Sequence, residues 1–197
     1  MQHYSEAEAV LGAIRNRRNV PYTKVKEDRL QADHLHQILE AANWAPSHKH
    51  TEPWRFYVFE GAGRAKIAAL LSQTYRDTAG NKFMERKYQK ARTRPLSVGA
   101  VIAVVMRPSR KPVLPDFEEI LAMGGAVQNL QLAAHVLGIG VSWSTPGYLN
   151  HGSFRDFFAL EEPDRCFGLL YLGYMDDETR LESKRCPVED KITRIES

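Results

Sequence analysis

The sequence predicts an α+β fold or a three-layer α/β arrangement, with few strands and much helix. Residues 98–106 form a continuous apolar run, which is typical of a strand buried on both faces of a sheet. Residues 120–137 carry apolar side chains nearly all round the helical turn, which indicates a buried helix. The periodicity of the other segments completes the predicted order of elements, which is α-α-β-α-α-β-α-β-α-β.

Length and composition predict a single soluble domain over residues 1–197. The chain is 43% hydrophobic and 26% charged, as is usual for a globular protein, and no apolar segment is long enough to cross a bilayer. The N-terminus lacks a basic region followed by an apolar one, so no secretory signal is predicted. Cys166 and Cys186 form neither a Cys-x-x-Cys motif nor a disulfide framework. We therefore expect a reduced, cytoplasmic protein.

The formal net charge of +3 permits an anionic ligand without requiring nucleic acid. The densest basic run, residues 82–94, contains Lys87, Lys90 and Arg92 with Tyr88 among them. A solvated helix face explains this run about as well as a binding patch does, and better than a nucleic-acid site does. We therefore expect no nucleic-acid partner.

The first helix, predicted over residues 5–15, ends in a cluster of positive charge. Arg17 and Arg18 follow Arg15 and precede Asn19. Cations at this position can simply stabilise the C-terminal end of the helix dipole. They can also clamp a phosphate, because a guanidinium group matches phosphate oxygens in a bidentate fork. Three arginines beside an asparagine favour the phosphate interpretation.

A second helix is predicted over residues 31–43, and the loop that follows it is rich in functional groups. Between Pro46 and Pro53 stand a hydroxyl, two imidazoles, an ammonium and a carboxylate, which is more than a simple linker needs. The alternative is a stiffened surface loop with ordinary polar residues. A metal site is not predicted, because the two His-x-His pairs do not share a helical face and no further ligand stands at a suitable spacing.

The strand predicted over residues 54–59 is followed by Gly61-Ala-Gly63 and by a helix that begins near Arg64. This order is similar to the start of a dinucleotide-binding βαβ unit. Lys66, however, occupies the third glycine position, where close packing of the helix on the strand requires a very small residue. No acidic residue follows a second strand at the expected interval either. We therefore do not predict a Rossmann site.

The longest helix is predicted to begin after Pro115, with Asp116 as its N-cap and Glu119 as the partner in a capping box. Gly124 and Gly125 lie inside this helix, at a cost of about 1 kcal/mol each relative to alanine. Such a cost indicates a close approach by another helix or by a ligand. A subunit interface would satisfy both requirements.

Residues 138–147 are small, flexible and rich in hydroxyl groups, with one large ring at Trp143. They can carry backbone amides and hydroxyls towards a planar ligand, or they can form a glycine-assisted entry into a short strand. A short helix over residues 153–159, a last strand over residues 166–174 and a charged tail that contains Lys184-Arg185 complete the chain. The basic segments suit a phosphate, and the two loops suit a planar heteroaromatic ligand.

Four motifs together extend over almost the whole chain. They are Ile14-x-x-Arg17-Arg18-Asn19, Ala45-Pro46-Ser47…Glu52-Pro53-Trp54-x-Phe56, Gly138-Ile-Gly-Val-x-Trp143 after the long helix, and Lys184-Arg185-x-Pro187. Each motif alone has moderate specificity. The four in this order resemble the FMN-dependent nitroreductase family, and in particular its small, single-domain subgroup.

The resemblance implies a three-layer α/β/α fold with a central, mostly antiparallel sheet. It implies a homodimer with the long helix at the interface and two FMN sites between the subunits. It also implies a ping-pong reaction in which NADH or NADPH reduces FMN and leaves, before a nitroaromatic, a quinone or another electron-poor acceptor takes the electrons. No catalytic side chain is implied, because the flavin carries the redox chemistry while the protein binds and tunes it.

At the phosphate end of the cofactor, the resemblance implies contributions from both ends of the chain. Arg17, Arg18 and Asn19 are expected to hold the phosphate, the ribityl chain and the pyrimidine edge of FMN. Arg185, with Lys184, is expected to complete the phosphate clamp.

At the ring end, the resemblance implies that Trp143, Ser144 and Thr145 line the isoalloxazine. His48 is expected to contact the cofactor from the partner subunit, and Trp44 is also predicted to bind the cofactor.

The chain departs from the family pattern in three places. Asn19 stands where a serine is frequent, and His50 and Glu52 stand where amides are frequent. Glu52 cannot donate a hydrogen bond when it is ionised, so a donor role is not carried over to it.

Two alternatives are compatible with the sequence. One is a flavoenzyme of the same fold that dehalogenates its substrate or consumes the flavin. The other is a non-enzymatic module that binds a phospholigand or nucleic acid through the basic segments. Such a module would not need the apolar, glycine-bearing helix that leads to Trp143.

Overall fold

The computed structural model describes residues 5–111, 113–176 and 181–195. Its helices and strands follow the predicted order α-α-β-α-α-β-α-β-α-β, which is thereby confirmed. The helices are α1 (Glu6–Asn16), α2 (Ala32–Asn43), α3 (Gly63–Ala79), α4 (Glu85–Thr93), α5 (Asp116–Val136) and α6 (Gly152–Phe157). The strands are β1 (Trp54–Glu60), β2 (Ala100–Met106), β3 (Ile139–Ser144) and β4 (Arg165–Tyr174).

The four strands form one sheet in the order β1-β2-β4-β3, and every neighbouring pair is antiparallel. All residues of β2 are buried, because strands flank it on both edges and helices cover both faces. The strand that the apolar run predicts is therefore confirmed. On β4, a register shift opposite Val104 and Val105 leaves Phe167 as an extra residue, which is the pattern of a β-bulge.

Helices cover the two faces of the sheet in separate apolar clusters. On one face, α2 and α5 contribute Ile38, Met123 and Leu130. On the other face, α3 and α6 contribute Leu71 and Phe154. This arrangement confirms an α+β fold with three layers and a central antiparallel sheet. Within the described ranges, no helix has the length and apolarity needed to span a membrane.

The predicted N-cap of α5 is wrong. Pro115 occupies the N-cap position without a side-chain hydrogen bond, so Asp116 lies already inside the first turn, where its carboxylate accepts a bond from Arg165. The carboxylate of Glu119 accepts from the Ser109 N–H at 3.1 Å and from the Thr51 hydroxyl at 2.8 Å. Both acids still favour the first turn, because the helix dipole attracts negative charge there.

In the single chain, α5 is buried on one side only. The side that faces the sheet includes Ala126 and Leu130, which are fully buried. On the other side, Phe117, Leu121 and Val136 are 61%, 69% and 71% exposed. The chain alone therefore accounts for only part of the burial that the sequence predicts for this helix.

The segment 138–147 is mostly strand, so the second of its two interpretations is confirmed. Gly138 ends α5 with a left-handed backbone at φ +71°, a conformation that glycine adopts without strain. Strand β3 then begins at Ile139.

The two thiols lie in different environments, and this difference predicts their reactivity. Cys166 is buried on β4 and burial raises its pKa to about 11, whereas Cys186 is exposed. Because the thiolate is the nucleophile and a raised pKa keeps Cys166 protonated at pH 8, we expect one reactive thiol per folded chain. Titration with Ellman's reagent should find one thiol in buffer and two in denaturant, and Cys186→Ser should leave the folded protein unreactive. A rapid reaction of folded Cys186→Ser would contradict this assignment.

Candidate cofactor site

A cluster of arginines lies at the exit of α1, against the C-terminal half of α5. Arg17 reaches α5, where its Nη1 donates to the Oε1 of Gln131 at 3.1 Å. Burial, followed by the charges of Arg18 and Arg185, lowers the pKa of Arg17. The Nε of Arg17 is buried and has no hydrogen-bond partner among the described residues. A half-buried guanidinium beside two further cations creates a place where an anion is stabilised.

His135 lies one helical turn beyond Gln131 and feels the same field. Burial is the first cause that lowers its pKa, and the charges of Arg17 and Arg18 are the next. A lowered pKa favours the neutral imidazole. The end of α5 therefore faces the arginines without adding a charge of its own at neutral pH.

The C-terminal segment joins this cluster through backbone contacts. Arg18 donates from Nε to the carbonyl of Leu181 at 3.2 Å, and this bond connects Leu181 to the exit of α1. Arg185 donates from Nη1 to the hydroxyl of Ser183 and to the carbonyl of Lys184. Lys184 and Arg185 are both exposed, so their charged groups are accessible to a ligand.

Asn19 and Trp143 meet at the edge of the sheet. The Trp143 N–H donates to the Oδ1 of Asn19 at 2.9 Å, and the next residue, Val20, donates its N–H to the carbonyl of Val141 at 2.8 Å. The chain after the arginines therefore runs along β3. The indole Nε1 of Trp143 donates to the bulged Phe167 carbonyl at 3.3 Å.

Gly168 is required beneath this indole. Its φ of +144° is unfavourable for other residues, and a Cβ there would overlap the indole ring of Trp143. The bulge and the glycine together set the position of the ring, which stays 38% exposed at the surface.

Ser144 and Thr145 are placed differently from Trp143. Successive side chains of a strand point to opposite faces, so the side chain of Ser144 lies on the face of the sheet opposite α5. There its hydroxyl accepts a hydrogen bond from Arg94 at 3.1 Å. Thr145 follows the end of β3 and is exposed. The three residues predicted to line one ring therefore present side chains to different sides of the sheet.

His48 lies at the opposite end of α5 from the arginine cluster. Its Nδ1 is 2.5 Å from the Oε2 of Glu118, in a loop where Lys49, His50 and Glu52 all have positive φ values. Non-glycine residues rarely adopt such a backbone, and clusters of them occur at functional sites. The contacts of this loop to the start of α5 hold it in place.

Trp44 follows α2 and is 79% exposed. It borders a groove of about 590 Å³ between α1, α2 and α5, which also includes Val10 and Val136. Arg17, Arg18 and Arg185 are not among the described residues that line this groove.

Three residues of this region were not singled out in the sequence. Gln131 contacts Arg17, His135 lies in the arginine field, and Glu118 binds His48. Polar residues inside the otherwise apolar α5 were the available signal. Gln131 is only 7% exposed, and a buried polar side chain requires a partner.

Comparisons with known proteins agree with this fold. The sequence model of the Nitroreductase family matches residues 14–174. An Escherichia coli K12 protein with the name "Putative NAD(P)H nitroreductase YdjA" is 33% identical over 158 residues, which cover 80% of this chain and 84% of that protein.

Solved structures share the architecture. A nitroreductase-like family protein from Bacillus cereus is 28% identical with a TM-score of 0.79, over 100% of both chains. A nitroreductase with bound FMN from Bacteroides fragilis NCTC 9343 is 22% identical with a TM-score of 0.71, over 98% of this chain and 100% of that one. Because the family model spans most of the chain and a relative is one third identical across it, the chain belongs to the nitroreductase family.

Proposed function

We propose that the protein is an FMN-dependent oxidoreductase. It would take electrons from NADH or NADPH through bound FMN and pass them to a nitroaromatic, a quinone or another electron-poor acceptor. The observation that carries this proposal is the gathering of Arg17, Arg18 and Arg185, together with the buried Nε of Arg17 that has no hydrogen-bond partner among the described residues. The names of the relatives, an NAD(P)H nitroreductase and a nitroreductase with bound FMN, support it.

The arginine cluster fits the phosphate of FMN. A dianionic phosphate would offset the mutual repulsion of Arg17, Arg18 and Arg185, and Lys184 is the neighbour of Arg185 in the chain. Its oxygens would also give the Nε of Arg17 the acceptor that it lacks among the described residues.

The edge of β3 fits the ring system. Trp143 offers an exposed aromatic face next to Asn19, whose amide oxygen is engaged by the Trp143 N–H and whose amide nitrogen can donate to a ring oxygen. Ser144 would act there through its backbone groups, because its hydroxyl binds Arg94. Thr145 follows at the exposed end of the strand.

The chain's own contribution would be binding and electrostatic tuning. Bound FMN would supply the redox chemistry. A nitroaromatic acceptor reduced to its nitroso product consumes one NAD(P)H and one proton and releases NAD(P)⁺ and water. Positive side chains near the ring favour the form of a ligand that carries more negative charge. A basic side chain that reaches the ring, rather than the phosphate, would thereby assist electron uptake at the site.

We also propose that the protein is a homodimer, because the predicted site residues lie at opposite ends of α5. His48 contacts Glu118, while Arg17 contacts Gln131. These two helical positions are thirteen residues apart, which is about 20 Å along the axis. Within one chain, His48 and Arg17 are therefore separated along α5, and this separation supports a site that takes them from two chains.

A two-fold axis across the middle of α5 would remove this separation. The midpoint between Glu118 and Gln131 falls between Gly124 and Gly125. An antiparallel pair of α5 helices crossing there would place His48 of one chain near Arg17 of the other. The exposed apolar side of α5 and helix α1, none of whose residues is buried in the single chain, support such an interface. Trp44, at the groove between these helices, would then also lie near the second chain.

We further propose that the chain is a single domain and that it is located in the cytoplasm. Both apolar clusters pack on one sheet, which supports a single domain over residues 1–197. Two unpaired cysteines fit a reducing cytoplasm.

The visible absorption spectrum of the freshly purified protein tests the proposed function. We expect flavin bands in the blue region that NADPH or NADH bleaches under argon and that return when an electron acceptor such as a quinone is added. A matched sample without nucleotide should keep its spectrum. A colourless protein that takes up no added FMN would refute the proposal, and bands that never return would indicate a flavin-consuming reaction.

A further inference from the structure

Two neighbouring acids attach the loop between α2 and β1 to the start of α5. Glu119 is 2% exposed, and its carboxylate accepts from the Thr51 hydroxyl at 2.8 Å and from the Ser109 N–H at 3.1 Å. The carboxylate of Glu118 meets the imidazole of His48, with 2.5 Å between Oε2 and Nδ1. The two acids therefore hold the same loop through different kinds of contact.

Further bonds fix this loop independently of the imidazole. The Glu52 N–H donates to the Ser47 hydroxyl at 3.3 Å. Just beyond the loop, the buried indole of Trp54 donates to the side-chain oxygen of Asn43 at 2.9 Å. Because these bonds and the one to Glu119 already hold the backbone, the contact between the imidazole and α5 has a different consequence, which is to orient the ring.

The contact with Glu118 also decides which nitrogen of the His48 ring carries the proton. An ionised carboxylate can only accept a hydrogen bond, so Nδ1 of His48 donates across this contact. In the neutral imidazole Nε2 is then an acceptor. Among the described residues Nε2 has no hydrogen-bond partner, and the side chain of His48 is 54% exposed. The acceptor nitrogen is therefore accessible to a ligand.

We propose that Glu118 is a positioning residue of the flavin site, which holds His48 in the tautomer whose Nε2 accepts a hydrogen bond from FMN at the subunit interface. This inference rests on the proposed function and on the proposed homodimer. FMN has groups that can donate such a bond, namely its ribityl hydroxyls and the N–H of its pyrimidine ring. A ring that is oriented before binding loses less conformational freedom when the ligand arrives, and this is what the carboxylate contributes.

The position of the imidazole proton tests the first part of this inference. Long-range proton–nitrogen correlation NMR of the protein as purified distinguishes a ring nitrogen that carries a proton from one that does not. The chain contains seven histidines, and the spectrum of His48→Ala identifies the signals of His48. At about pH 9, above the ordinary titration range of an imidazole, we expect a proton on Nδ1 and none on Nε2. A proton on Nε2 would overturn the inference.

Replacement of the carboxylate by an amide tests the role of Glu118. Glu118→Gln keeps the size of the side chain, but an amide can donate as well as accept, so both tautomers of His48 become populated. We expect a mixture of tautomers in the NMR spectrum and FMN binding about fivefold weaker than in wild type, as for the loss of one oriented hydrogen bond. Asp116→Asn removes a charge from the same first turn of α5, and as the matched control it should keep both the tautomer and the affinity.

A double variant distinguishes positioning from a general effect on the fold. If Glu118 acts through His48, then Glu118→Gln should cause no further loss of FMN affinity in a protein that already carries His48→Ala. A further loss of about fivefold in that protein, or wild-type affinity of Glu118→Gln alone, would refute the positioning role. The unfolding temperature of each variant reports whether its chain is intact.

The two kinds of failure can be told apart because the NMR result does not depend on bound flavin. A colourless protein that takes up no FMN refutes the proposed function itself. Normal FMN binding together with a proton on Nε2 of His48 refutes only the role assigned to Glu118.

Discussion

Arg17→Ala should weaken FMN binding by about thirtyfold, which corresponds to the loss of about 2 kcal/mol from a charge-assisted contact to phosphate. Arg17 is the half-buried member of the arginine cluster and the one whose Nε lacks a partner among the described residues. Arg185 is exposed, so Arg185→Ala should have a smaller effect of about tenfold. Titration of flavin-free protein with FMN, followed by the quenching of flavin fluorescence, measures both changes.

The stability of the flavin-free variant distinguishes a binding role from a structural one. The charges of Arg18 and Arg185 repel that of Arg17, so removal of Arg17 relieves repulsion while it breaks the bond to Gln131. We therefore expect the Tm of flavin-free Arg17→Ala to stay near that of wild type, while the Tm gained on adding FMN falls. Arg29→Ala, which removes an exposed arginine paired with Glu60, is the control and should bind FMN normally. Wild-type FMN affinity of Arg17→Ala would exclude this residue from the site.

The order of elements could be predicted because it depends on local patterns. The apolar run that became β2 and the helical spacing that became α2 and α5 are visible within windows of ten to twenty residues. The antiparallel sheet could be expected through family resemblance, since strand pairing joins residues far apart in sequence. Trp54 and Met106, for example, are paired across β1 and β2.

The contacts within the candidate site were harder to predict. The partner of Arg17 is Gln131, more than a hundred residues away, and no local pattern links the two. The face of Ser144 depends on where β3 begins, and a shift of one residue would reverse it. The N-cap residue of α5 was also predicted wrongly. The acidic motif suggests Asp116 as the N-cap, whereas Pro115, one residue earlier, occupies that position.

The sequence singled out the two adjacent glycines inside α5, and the structure shows what surrounds each of them. Gly125 lies against Ala45 and Pro46, at 3.6 and 3.8 Å from an added Cβ. Around Gly124, in contrast, an added Cβ meets nothing within 4 Å among the described residues. Both distances are ordinary van der Waals contacts, so packing inside one chain requires glycine at neither position.

Gly124→Arg is expected to convert the proposed dimer to a monomer and to abolish tight FMN binding. In an isolated chain, arginine fits the open space and improves the helix by up to about 1 kcal/mol. In the proposed antiparallel pair, the axis passes beside residue 124, so each new guanidinium would meet its own copy across the close crossing. The repulsion between the two guanidinium groups and their added volume would separate the chains. His48 of one chain would then no longer lie near Arg17 of the other.

Light scattering coupled to size exclusion measures the first effect directly. Wild type should have twice the chain mass of 22.4 kDa, and the variant should have that mass once, with an unfolding temperature that reports an intact chain. Gly63→Arg places the same side chain at another open helical glycine, on α3 away from the proposed interface, and should stay dimeric with FMN bound. If the Gly124→Arg variant is dimeric, the interface does not lie at the centre of α5. A monomeric wild type with FMN bound would mean that one chain suffices for the site, and it would refute the proposed dimer.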